Sequence, residues 1–93
     1  MKLNDTFTAS EDVVSREVGG EMVLLDLASG TYFGLDPVGG RIWELLSNGP
    51  HSLSQVCDTI EAEFEAPRDQ IEADILALFS DMGDQNLIVA TPD

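Results

Sequence analysis

Basic residues are scarce in this chain: Lys2, Arg16, Arg41 and Arg68 stand against eighteen acids in 93 residues, a formal charge of −14. A surface so acidic repels a phosphate backbone, so nucleic acid is an unsuitable partner. Cysteine is nearly absent. The single Cys57 excludes an internal disulfide and any cysteine-built zinc site, and suits a reducing compartment. Long apolar runs are missing too: nothing has the length of a membrane span, and MKLNDTFTASED lacks the hydrophobic stretch of a signal peptide. A soluble cytoplasmic protein is the expectation, and at 10.1 kDa it has room for one core.

Catalytic equipment is equally thin. Glu61, Glu63, Glu65, Asp69, Glu72 and Asp74 fall on the outer faces of expected helices, and nothing marks one of them for a cleft. His51 sits beside Pro50 in an expected loop, with no second ligand at metal spacing. Cys57 lies on an apolar helical stripe, where a buried, inert thiol is the common case. The glycines form neither a GxGxxG nor a Lys-Ser/Thr-ended loop, so no nucleotide or other cofactor is expected and the chain does not read as an enzyme.

What is present is a pattern of short strands followed by helices. Residues 1–12 are polar and read as a flexible arm, in which Phe7 anchors a short edge strand. Val13 to Val18 alternates, and Gly19-Gly20 supplies a hairpin turn. Met22 to Leu27 is apolar at nearly every position and reads as a central strand covered on both faces, with Asp26 facing the next turn. Thr31 to Leu35, rich in aromatics, reads as the edge strand after a tight Ala28-Ser29-Gly30 connection.

Asp36-Pro37 is an N-cap followed by a first-turn proline, and Val38, Ile42, Leu45 and Leu46 share a helical face that ends at Asn48-Gly49-Pro50. Ser52 and Gln55 form a capping box ahead of Leu53, Val56, Cys57, Ile60 and Phe64. Pro67 opens a third helix with the stripe Ile71, Ile75, Leu78, Phe79 and Met82, for which Gly83 is the expected stop. Leu87 to Val89 fits a short terminal strand. Three antiparallel strands followed by three helices make an α+β domain, with a helix-turn-helix around Ala66-Pro67 and a wing-like hairpin before it.

An edge strand beside an apolar helix accepts a peptide as an added strand. Four to six hydrogen bonds at about 1 kcal/mol and two apolar anchors at about 2 kcal/mol give roughly 8 to 10 kcal/mol gross. Ordering the peptide takes back about 2 to 5 kcal/mol, leaving micromolar affinity or weaker, as suits a delivery protein. On pattern alone Tyr32, Phe33, Phe79 and Met82 read more readily as core residues than as a pocket.

These residues also resemble the PqqD-like family, the peptide-recognition elements of ribosomally made, post-translationally modified peptide pathways. The resemblance runs through Ser15-Arg16-Glu17, Val23-Leu24-Leu25-Asp26-Leu27, Gly30-Thr31-Tyr32-Phe33-Gly34-Leu35-Asp36, Val38-Gly39 and Arg41-Ile42-Trp43-Glu44-Leu45-Leu46, and continues to Leu87-Ile88. It implies a winged-helix-like recognition domain over residues 13–90, with a tail at 91–93, in which a precursor's leader peptide pairs with the third strand and packs against the third helix. Carried onto this chain, Thr31, Tyr32, Phe33, Gly34 and Leu35 supply main-chain contacts, and Ile71, Ile75, Leu78, Phe79 and Met82 the apolar groove. Tyr32 and Gly34 share one face of the strand and Thr31, Phe33 and Leu35 the other, and either set could line the pocket. Ile42 and Trp43 belong to the core.

The function implied is a non-catalytic adaptor, with lasso-peptide biosynthesis as the first choice and a leader-cleaving cysteine protease of transglutaminase-like fold as the partner. The alternative is a peptide chaperone for pyrroloquinoline quinone or another peptide modified by a radical-SAM enzyme. A winged-helix DNA-binding regulator is the reading from a different class; it needs a basic third helix, and this one offers only Arg68 among Asp69, Glu72, Asp74, Asp81 and Asp84. An open edge also permits pairing with a second copy of the chain.

Overall fold

The computed structural model describes residues 2–91. In chain order the elements are β1 (Thr6–Ala9), β2 (Val13–Val18), β3 (Glu21–Asp26), β4 (Thr31–Leu35), α1 (Pro37–Ser47), β5 (His51–Ser52), α2 (Leu53–Phe64), α3 (Arg68–Asp84) and β6 (Ile88–Thr91). The α+β expectation is met, but with two three-stranded antiparallel sheets: β2-β3-β4, the expected wing, and β5-β1-β6.

The second sheet corrects the reading of the N-terminus. Rather than a loose arm with an edge strand, residues 6–9 form the middle strand, pairing Thr6 with Thr91 and Ser52, and Phe7 with Ala90 and His51. The carbonyls of Leu3 and Asp5 accept from the N–H groups of Ser54 and Leu53, satisfying donors that the first turn of α2 would otherwise leave free. Phe7 does anchor the segment, meeting Phe79 edge-on at 5.3 Å. His51, expected in a loop, is part of β5, and its Nδ1 lies 2.9 Å from the Gly49 carbonyl. Of the tail, Thr91 ends β6 and residues 92 and 93 lie outside the described residues, as does Met1.

Local chemistry sets the element boundaries. Gly19 and Gly20 have φ of 60° and 84°, the positive pair a two-residue hairpin turn demands. The Asp36 carboxylate accepts from the Gly39 N–H at 2.7 Å, and Ser52 and Gln55 exchange both capping-box bonds at 2.9 and 3.0 Å. Asp26 meets its turn as expected, accepting from the Ala28 N–H and the Ser29 hydroxyl. The expected stop at Gly83 is not used: α3 runs to Asp84, and Asn86, at φ 60°, makes the left-handed turn. Leu87 N–H then reaches the Met82 carbonyl at 2.9 Å and Asn86 N–H the Gly83 carbonyl at 3.1 Å, a complete Schellman closure with asparagine in the place glycine usually takes.

The core gathers Leu24, Ile42, Trp43, Leu46, Leu53, Val56, Cys57, Phe79 and Ile88 between the sheets and the helices. Phe64, placed on the α2 stripe by periodicity, is exposed at the helix end. Two cations cross-brace the helices. Arg41 of α1 grips Glu63 of α2 through Nε and Nη2 at 2.9 and 3.0 Å, and Arg68 of α3 binds Asp58 and Glu72. The guanidinium of Arg41 holds the Glu63 carboxyl below its usual range. A depressed carboxyl contributes stability above its unfolded pKa and loses it as pH falls through the folded value. Glu63→Gln is therefore expected to lower the thermal midpoint slightly at pH 7, and the difference from wild type to shrink as pH falls below the ordinary carboxylate range and the folded-state carboxyl takes up its proton, as read by circular dichroism.

Candidate peptide-binding edge and cleft

The register of the wing sheet assigns every side chain to a face. Met22, Leu24 and Asp26 pair with Leu35, Phe33 and Thr31, so these six share the inner face with Val13, Ser15 and Glu17. Leu24 is fully buried there, and Phe33 and Leu35 pack on the core. Val23 and Leu25 pair with Gly34 and Tyr32 on the outer face, which carries Val14, Arg16 and Val18 as well. That face is open: Tyr32 is 70% exposed and Val18 56%. The expectation that β3 is covered on both faces is thus overturned, because among the described residues no helix or second sheet shields Val23 and Leu25. Tyr32 is no core residue either.

The same register fixes which main-chain groups are free. The two-residue turn closes on Val18 and Glu21, which in such a hairpin exchange both of their bonds. Alternation then gives Glu21, Val23 and Leu25 to β2, and Met22, Leu24 and Asp26 to β4. Their partners Thr31, Phe33 and Leu35 are spent on β3, so Tyr32 and Gly34 turn their N–H and C=O groups to the open edge. Of the five residues expected to supply main-chain contacts, two have groups to offer, four in all.

Past the end of β4, from Asp36 onward, lies a cleft of about 230 Å³ between the start of α1 and the flank of α3, lined by Asp36, Val38, Gly39, Ile42, Asp74, Ile75 and Leu78. Close packing seats α1 on the wing sheet beside it. A Cβ on Gly39 would stand 3.3 Å from that of Leu35, and one on Gly40 3.2 Å from that of Met22, so the glycine pair lets α1 sit directly on the inner face. Of the five expected groove residues, Ile75 and Leu78 line the cleft. Ile71, Phe79 and Met82 are not part of its lining and lie in the core at 4%, 0% and 2% exposed, Phe79 against Phe7; Ile75, also 2% exposed, belongs to the core and to the cleft wall alike. A single helical stripe cannot separate the two roles, because one turn of α3 faces the core while the adjoining flank faces the cleft. Val38 and Asp74 belong to the cleft and were not singled out for it; the proximity of the Asp36 N-cap to the end of β4 was the available signal for Val38.

The remaining chemistry is inert. Burial pushes the Cys57 thiol upward, the opposite of an activated nucleophile. Among the described residues no helix is long and apolar enough to cross a membrane.

Comparison with known proteins places this geometry. No curated protein matches the sequence significantly. Among solved structures, TbiB1 in complex with the TbiA(beta) leader peptide superposes with a TM-score of 0.81 at 38% identity, over 92% of this chain and 99% of that one. A lasso peptide synthetase B1 complexed with the leader peptide gives 0.77 at 29%, over 89% and 96%. The family model of coenzyme PQQ synthesis protein D matches residues 21–88, from β3 into β6 and so across both the edge and the cleft, and the chain belongs to the PqqD family.

Proposed function

We propose that this protein is a non-catalytic adaptor that captures the leader of a precursor peptide as an added strand on β4 and presents it to modifying enzymes. The observation that carries the reading is the free edge at Tyr32 and Gly34 on a strand whose end runs through Asp36 into the cleft of Val38 and Leu78. A leader paired there directs alternate side chains into the cleft, on the side of Phe33 and Leu35. Two relatives of almost the same length are described in complex with leader peptides, and one of them is a lasso peptide synthetase B1, which favours lasso-peptide biosynthesis over the quinone pathway. The partner would then be a leader-cleaving cysteine protease rather than a radical-SAM enzyme, and the step would take place in the cytoplasm, where Cys57 stays reduced. DNA fits poorly: Arg68, the basic residue of α3, is tied to Asp58 and Glu72.

Fluorescence anisotropy tests this directly. Labelled TbiA(beta) leader and a labelled quinone-type leader are titrated beside a scrambled peptide and a DNA duplex. Saturable binding of the TbiA(beta) leader alone is the expected result. Preference for the quinone-type leader would reassign the pathway, and binding of DNA would overturn the adaptor.

A further inference from the structure

A strand added to β4 presents only half of its side chains to the cleft. The other half emerge on the outer face, and there the edge strand carries a gap. Gly34 has no side chain, a Cβ placed on it meets nothing within 4 Å, and its φ lies outside the left-handed region. Backbone strain therefore does not require glycine at this position. Behind the gap, on the next strand, stands Val23, half-exposed and paired with Gly34; Leu25 and Tyr32 flank it, and Arg16 lies beyond. Val23, Leu25, Tyr32 and Arg16, together with Val14 and Val18, line an apolar depression on this outer face, to which Gly34 is adjacent through its pairing with Val23.

Resting on the adaptor reading, we propose that Gly34 and Val23 form a second specificity subsite, which accepts one large apolar side chain, best an aromatic ring, from the leader residue paired with Gly34. The free main-chain groups of Gly34 place that residue directly opposite, with its side chain on the same face. Across an ordinary residue, a leader side chain would touch only its β4 neighbour. Across glycine it lies flat over the backbone and reaches Val23, one strand further in, as aromatic residues do when they cover a glycine in a neighbouring strand. The subsite reads the opposite parity of the leader from the cleft, so the two together fix its register: a slip of one residue exchanges every side chain between them.

The test is an alanine scan of the TbiA(beta) leader against wild type, Gly34→Val and Val23→Thr, read by anisotropy, with thermal midpoints measured alongside. Gly34→Val keeps its N–H and suits a strand, so folding is preserved. In wild type one outward leader position is expected to lose about ten-fold on truncation to alanine. In Gly34→Val the same truncation costs less than about two-fold, while its two neighbours, which face the cleft, keep their full effects. Val23→Thr weakens only leaders that retain the large residue. A scan profile unchanged in Gly34→Val, with wild type binding normally, would overturn the subsite and leave the adaptor standing. Failure of wild type to bind any leader would remove the adaptor itself. Concentration-dependent dimerisation abolished by Gly34→Val, seen in sedimentation, would assign the face to a second copy and overturn the proposal.

Discussion

Gly34→Pro is expected to fold like wild type and to lose leader binding by roughly 30-fold to several hundred-fold, the equivalent of about 2 to 4 kcal/mol. Proline lacks the N–H, and at Gly34 that N–H points to the open edge rather than to β3, so no bond of the wing sheet is broken. The leader loses one main-chain bond worth about 1 kcal/mol, and its own carbonyl, now covered by the complex, goes unsatisfied at about 1 to 3 kcal/mol more. Phe33→Pro is the control: its N–H belongs to the β3 pairing and its ring packs on the core, so this variant should unfold. Anisotropy and thermal melts on the two variants separate the cases. A folded Gly34→Pro that binds normally would show that the leader does not pair with β4 at that residue.

The opposite fates expected at neighbouring positions show what the sequence could and could not reveal. Where a structure is set by residues close in the chain, it was readable: Gly19-Gly20 closes the first hairpin, Asp36-Pro37 starts α1, and Ser52 with Gln55 starts α2. The second sheet was not readable, because β1 is four residues long and its partners β5 and β6 lie more than forty residues away, so no local period announces the pairing. Solvation of the β3 outer face was hidden for a different reason. Val23 and Leu25 are as apolar as Leu24, and a strand whose both faces are apolar reads as doubly covered even when one face is left open for other use. Gly83 misled by the same logic in reverse, since Asn86 tolerates the left-handed turn and carries the Schellman closure two residues after α3 has ended.

The site suffered from one ambiguity that periodicity cannot remove, and a pair of α3 variants resolves it. Phe79 and Leu78 are adjacent, both apolar, and both were placed in the groove. Phe79 is fully buried and stacks edge-on against Phe7, the residue that anchors the central strand of the second sheet. Phe79→Ala should therefore cost about 3 to 5 kcal/mol of folding stability, a large part of what a domain of this size possesses. The loss should show as a lower denaturation midpoint in urea. Any weakening of leader binding should follow the unfolded fraction and disappear once binding is corrected for it. Leu78 is only half-buried and lines the cleft with Val38 and Ile75. Leu78→Ala should cost binding about 1 to 2 kcal/mol, some 5- to 30-fold, with a smaller effect on the urea midpoint. The reverse result, with Phe79→Ala folded but unable to bind and Leu78→Ala binding normally, would place the leader on the other flank of α3. The face of a helix that seats a peptide must stay partly uncovered in the free protein, and on α3 that condition selects Leu78 over Phe79.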